Sequence, residues 1–197
     1  MSKKVLLMLL LPLSICLNGQ VRKIAEQGNG LINLERHQVK FNLFGPGVSY
    51  ELGLFRNVTA STSFGPALAV YKEGYTFGFG WHTRLKYYHN LKRRINKGKN
   101  VSGNSGDYLS AARSVFWGPL QISNNLDAPK DFALAFYGGV YGIQRTYPKG
   151  FNFNAELGVG RYLGDGVSNG YGALLNFTFG WVATKRKSRK PVFNLSN

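Results

Sequence analysis

The chain has 197 residues, enough for one domain with a sizeable interior, and its 25 Lys and Arg against 9 Asp and Glu give a formal charge of +16. A loading of 25 Gly, 14 Phe, 11 Tyr and 3 Trp favours many strands and tight turns over helices. The single cysteine, Cys16, excludes a disulfide framework.

MSKKVLLMLLLPLSICLNGQ joins Lys3 and Lys4 to an apolar run from Val5 to Cys16 and a small or polar exit at Asn18 and Gly19. That is the pattern of a secretory signal, and the run is well short of the ~20 residues a helix needs to cross a bilayer. Removal of residues 1–19 is expected, with cleavage near Gly19 and Gln20 and an N-terminal segment 20–36 to follow. Leu13-Ser14-Ile15-Cys16 also reads as a lipobox with Cys16 acylated, weakened by Ile15 where a small residue is wanted. No second apolar helix follows residue 20. A membrane-resident mature chain therefore has to be a closed barrel, which satisfies every backbone group without water.

Steps of two along the rest predict eight strands over 37–183, each near the ~9–11 residues of a tilted spanning strand. The first, 37–44, sets Val39, Phe41 and Leu43 against Gln38, Lys40 and Asn42. After Gly45-Pro46-Gly47, the second, 48–54, sets Val48, Tyr50, Leu52 and Leu54 against Ser49, Glu51 and Gly53. The third, 58–71, opposes Val58, Ala60, Phe64, Leu68 and Val70 to Thr59, Ser61, Ser63 and Gly65. In the fourth, 75–88, Phe77, Phe79, Trp81, Leu85 and Tyr87 alternate with Gly78, Gly80, His82, Arg84 and Lys86. The fifth, 108–118, is unclear because Arg113 shares a face with Leu109 and Val115. The sixth, 132–146, opens with Phe132, Leu134 and Phe136 on its apolar face and then blurs through Gly138, Gly139 and Gly142. The seventh sets Phe151, Phe153, Ala155, Leu157 and Val159 outward and Asn152, Asn154, Glu156, Gly158 and Gly160 inward; the eighth, 171–182, repeats it with Leu175, Phe177, Phe179 and Trp181 against Asn176, Thr178 and Gly180.

A face mixing glycine with a few large polar groups suits a narrow interior, and the aromatic face then suits lipid. Tyr71, Tyr75, Tyr162 and Tyr171 at one set of strand ends, and Phe55, Tyr87, Tyr147 and Trp181 at the other, are expected to form two interfacial girdles. An even strand count puts both chain ends in the periplasm, together with 55–57 and 148–150. The long link 91–107 falls on that side too, against the rule of short periplasmic turns. Either Gly45-Pro46-Gly47 is a kink inside one strand and the count is off by one, or the link is long for a reason.

The runs NLFGPGVSYE, YYHNLKRRINKGKNVSGNSGDYL and YGIQRTYPKGFNFNAELGVG resemble a family of small, largely uncharacterised outer-membrane β-barrel proteins of Bacteroidota, and an exit in Asn-Gly-Gln resembles signal peptides of that group. The resemblance implies an all-β, eight-stranded antiparallel transmembrane up-and-down barrel in the outer membrane of a Gram-negative bacterium. It implies no activity.

Lys92, Arg93, Arg94, Lys97 and Lys99 crowd the long link, and Lys185, Arg186, Lys187, Arg189 and Lys190 crowd the tail 184–197. Both clusters are expected to face the periplasm and to meet anionic lipid head groups or an acidic periplasmic partner, unless they are merely solvated. The signal peptide and the alternation argue against nucleic acid. Of the histidines, His37, His82 and His89, the last lies on the wrong leaflet for a lipid hydrolase. His82 points inward with Glu51, Arg84, Lys86 and Glu156, groups that can pair as a polar plug. No metal-ligand spacing, phosphate loop or nucleophile elbow occurs, so neither catalysis, metal nor cofactor is expected. The alternatives are a small-ligand binder or narrow pore using this lumen, with the inward glycines of strands four, six and seven as ligand space, and a soluble exported calyx with its faces reversed.

Overall fold

The computed structural model describes residues 34–70, 74–117, 122–124, 133–164 and 170–184. The expected signal segment and the C-terminal basic cluster lie outside them. Eight long strands, β1 (His37–Phe44), β2 (Gly47–Phe55), β3 (Val58–Val70), β4 (Tyr75–Tyr88), β5 (Gly106–Trp117), β7 (Ala133–Thr146), β8 (Phe151–Gly164) and β9 (Gly170–Val182), pair antiparallel. A two-residue β6 (Ser123–Asn124) extends β4 at Thr76 and Phe77. Because β1 pairs with β9 and β3 with β4, the sheet closes into a ring and its long strands leave no open edge.

Gly45 and Pro46 turn the chain rather than kink it: Asn42 faces Gly47 across the β1–β2 pair, and Gly45 sits at φ +59°, a conformation that suits glycine. The count of eight therefore stands, and both β1's start and β9's end lie at one end of the ring, here called the terminal end. The link between β4 and β5 is at that end as well. It contains α1 (Leu91–Asn96), whose six residues are too few to be announced by sequence periodicity.

Alternation sorts the two faces. Phe41, Leu43, Phe64, Leu68, Trp81, Leu85, Leu109, Leu157, Val159 and Leu175 are exposed on the outside, Leu175 to 81%. Gln38, Lys40, Glu51, Arg84, Lys86, Gln144, Asn152 and Glu156 are buried within. On β5, Leu109 and Arg113 share the exposed outer register, and Arg113 Nε donates to the Tyr137 hydroxyl at 3.1 Å.

Two expectations need correcting. Leu134 and Phe136 are buried, and Phe136 with Val140, Ala112 and Leu174 makes an apolar inner layer toward the end opposite the termini. Tyr162 belongs to that layer rather than to a girdle: its ring packs 4.9 Å from Phe136 and its hydroxyl donates to the Ala173 carbonyl. The error has a physical cause. Both faces of β7 are apolar there, so polarity cannot say which one points inward. Tyr75, Tyr171, Phe55, Tyr87, Tyr147 and Trp181 are exposed near strand ends, and Tyr71 lies outside the described residues.

The inward glycines of β7 and β8 are accounted for by packing. A Cβ on Gly142 would lie 2.1 Å from Tyr108 Cζ, one on Gly158 would lie 2.6 Å from Val140 Cγ2, and Gly138 and Gly160 face each other under the Phe136 ring. Their missing side chains are replaced by large neighbours, so this region is packed core rather than ligand space.

Candidate functional site: a charged plug and a basic rim

The interior charges come from four strands and meet near the terminal end. Glu51 of β2 is fully buried. Lys40 Nζ on β1 lies 2.9 Å from its Oε2 and Lys86 Nζ on β4 lies 3.5 Å away. Thr59 Oγ1 and the Tyr88 hydroxyl each donate to Glu51 Oε1 at 2.8 Å, and Asn104 Nδ2 adds a third donor at 3.0 Å. The second carboxylate, Glu156 of β8, pairs with Arg84 Nη2 at 3.4 Å and accepts from the Tyr108 hydroxyl at 2.7 Å and from Asn176 Nδ2 at 2.9 Å. Gln144 Oε1 accepts from Lys40 at 2.8 Å and from Lys86 at 3.4 Å, and Lys86 Nζ also sits 4.6 Å over the Tyr108 ring.

Thus Glu51, Arg84, Lys86 and Glu156 are brought together. Buried charges survive when they are paired and hydrogen-bonded, as these are. Sequence reading missed Lys40, Gln144, Tyr88, Tyr108 and Asn104 as members of this cluster. For Tyr88 a signal existed, because it continues the Arg84–Lys86 register.

His82 sits at the side of this network. Its Nδ1 is 2.8 Å from Ser114 Oγ, a pairing found in acyl-transfer sites. Here, however, Ser114 is buried and its Oγ also accepts from Arg84 Nη1 at 3.2 Å. A hydroxyl that accepts from a guanidinium and has no open approach is a poor nucleophile. Among the described residues no group of His, Cys, Asp and Glu is placed to hold a metal. The cavity left between these side chains is about 40 Å³, room for roughly three waters.

The terminal end is covered by the long link. After α1 the chain turns through Gly103 (φ +61°) and Asn104 (φ +58°) and dips into the ring. Glu35 N donates to Asn104 Oδ1 at 2.7 Å, Gly103 N donates to Glu35 Oε1 at 3.2 Å, and Thr146 Oγ1 donates to the Gly103 carbonyl at 2.7 Å. Beneath this lid Leu34, Tyr88, Leu91, Val101 and Tyr108 form an apolar cluster. The link is long because it closes the end of the ring.

Its cations remain outside. Arg93, Arg94, Lys97 and Lys99 line a cleft of about 260 Å³ with Asn90, Asp107 and Arg145; Lys92 is exposed on the same helix. Both oxygens of Asp107 are engaged: Arg145 Nη2 donates to Oδ1 at 2.5 Å and Asn90 Nδ2 donates to Oδ2. Arg94 donates through Nε and Nη2 to the Asn100 carbonyl at 3.3 and 2.9 Å. Partial burial, then the nearby Arg145 guanidinium, lower the Arg94 pKa from its ordinary value, as expected where cations are crowded together.

His37 and His89 are exposed at this end, His89 with its ring 5.9 Å from Tyr141. The second basic cluster, Lys185, Arg186, Lys187, Arg189 and Lys190, lies outside the described residues. Comparison with protein-family models, with curated proteins and with solved structures finds no match to this chain, so what it does is argued from its own residues.

Proposed function

We propose that the chain is a non-enzymatic β-barrel of a Gram-negative outer membrane, of the kind its sequence resembles in Bacteroidota. Its role is structural or interactive, and its basic end meets lipid head groups or an acidic periplasmic partner. The observation that carries this is the reversed polarity of a closed ring. Large apolar side chains such as Phe41, Leu43, Leu68, Trp81, Leu157 and Leu175 stand exposed around the outside, while paired charges fill the inside. Soluble monomers rarely expose a contiguous apolar patch beyond ~300–600 Å², whereas a belt of this kind is what a spanning ring offers to lipid. Among the described residues no helix is long and apolar enough to cross a membrane, a criterion that does not bear on strands.

The same filling argues for a closed barrel rather than a pore. A lid at one end, an ionic layer beneath it and an apolar layer toward the other leave a cavity of about 40 Å³. In planar bilayers the purified protein should therefore show no steady conductance, and Arg84→Ala or Glu156→Ala should change any leak through loss of folding alone. Regular conductance steps from wild type, altered by either substitution, would favour the narrow-pore reading.

A further inference from the structure

The basic cleft has a neighbour on the outer face. In β5 the exposed outer register runs through Leu109 and Ala111, and Asp107 shares it; in β7 Tyr137, Gly139 and Tyr141 share the outer register with Arg145. The cleft wall made by Asp107 and Arg145 thus stands on the outer side of the rim. One step along these strands begins an apolar depression of about 630 Å³ lined by Leu85, Tyr87, Leu109, Ala111, Gly139 and Tyr141. It exists because Ala111 and Gly139 are small where their neighbours are large, and a Cβ on Gly139 would meet nothing within 4 Å. From Asp107 to Ala111 is roughly 13 Å at strand rise, inside one ~15 Å leaflet of hydrocarbon.

Cleft and depression differ in the way a lipid's two parts differ. The cleft lining is wholly polar, with five cations against one carboxylate that is already engaged twice. Arg93, Lys97 and Lys99 face no carboxylate within ion-pair distance among the described residues. A head group carrying an ammonium would bring like charge into that cleft, whereas a phosphate with a neutral polar head would not. We propose that the cleft and the depression form a binding site for one anionic glycerophospholipid, with its phosphate among Arg93, Lys97 and Lys99 and an acyl chain laid over Ala111 and Gly139. The site rests on the outer-membrane reading above and gives it a specific lipid contact.

The test is native mass spectrometry of the full-length protein folded in detergent micelles, with phosphatidylglycerol, phosphatidylethanolamine and glycerol phosphate as probes. Wild type should retain one phosphatidylglycerol and hold phosphatidylethanolamine far more weakly. Arg93→Gln/Lys97→Gln/Lys99→Gln should weaken phosphatidylglycerol on the order of a hundredfold. Gly139→Leu, which fills the depression without touching the cleft, should weaken it on the order of tenfold while leaving glycerol phosphate unaffected. Equal retention of both lipids, or no effect of the triple variant, would overturn the site. Glycerol phosphate binding as tightly as the lipid would assign the cleft to a free phosphate compound and overturn the lipid. The same samples run boiled and unboiled separate the two levels: no heat-dependent mobility shift in wild type rejects the barrel itself, whereas a normal shift without selective retention rejects only the lipid site.

Discussion

Glu51→Gln should cost about 3–5 kcal/mol of stability, the range for removing one partner of a buried ion pair, read as the urea midpoint of the detergent-folded protein. The substitution preserves shape, so packing is not what it tests. It removes the charge that faces Lys40 at 2.9 Å and Lys86 at 3.5 Å, leaving two buried ammoniums with Gln144 and the Tyr108 ring as their remaining near contacts. Glu156 is already committed to Arg84, Tyr108 and Asn176. Adding Lys40→Met should return part of the loss, because it removes one stranded cation and places a similar volume in the same space. If Glu51→Gln unfolds at the wild-type midpoint, the charges are hydrated and the interior is not the packed plug described.

Gly142→Val should prevent the ring from closing in most molecules. Its Cβ would fall 2.1 Å from Tyr108 Cζ, and Tyr108 cannot retreat cheaply. Its ring is fully buried and lies 5.2 Å from Tyr88, and its hydroxyl sits 2.7 Å from both Asn154 Oδ1 and Glu156 Oε1, with one proton to share between them. Overpacking costs about 1–3 kcal/mol, and each buried partner left unsatisfied costs about 1–3 more, so the sum approaches the whole stability of a domain this size. Gly139→Val, three residues away on the same strand but facing open space, should fold as wild type. The contrast is read as the fraction of folded protein recovered. Tyr108→Ala combined with Gly142→Val should recover part of it by making room, whereas equal yields for the two glycine variants would mean that the interior is loose.

Outside the apolar inner layer, the faces of the strands could be read from alternation, because there inside and outside differ in polarity. Phe41, Trp81, Leu157 and Leu175 are apolar and exposed; Glu51, Arg84, Lys86 and Glu156 are polar and buried. Alternation fails where that contrast vanishes: Leu134 is apolar yet buried, and Phe136 and Tyr162 pack in the apolar inner layer. Glycine on the polar face correctly suggested crowding but not its cause: the space belongs to Tyr108, Phe136 and Val140. The inward register of Lys40 is legible from alternation but its partner is not: Ser49 stands directly opposite it and Glu51 faces Gln38, so the ion pair is a diagonal contact set by the pairing register across strands. The lid was hidden for a different reason. Leu91 and Ile95 sit four residues apart in a basic run, a faint helical signal, and Asn104 gains its role only through contacts with Glu35 and Glu51, which are distant in sequence.

The central claim is that the apolar outer face meets lipid around a closed ring. Its most direct test is gel mobility of the membrane-fractionated protein, loaded in detergent with and without boiling. A heat-dependent shift confined to protein from the outer-membrane fraction is the expected result. Soluble protein with one mobility under both conditions would contradict the account.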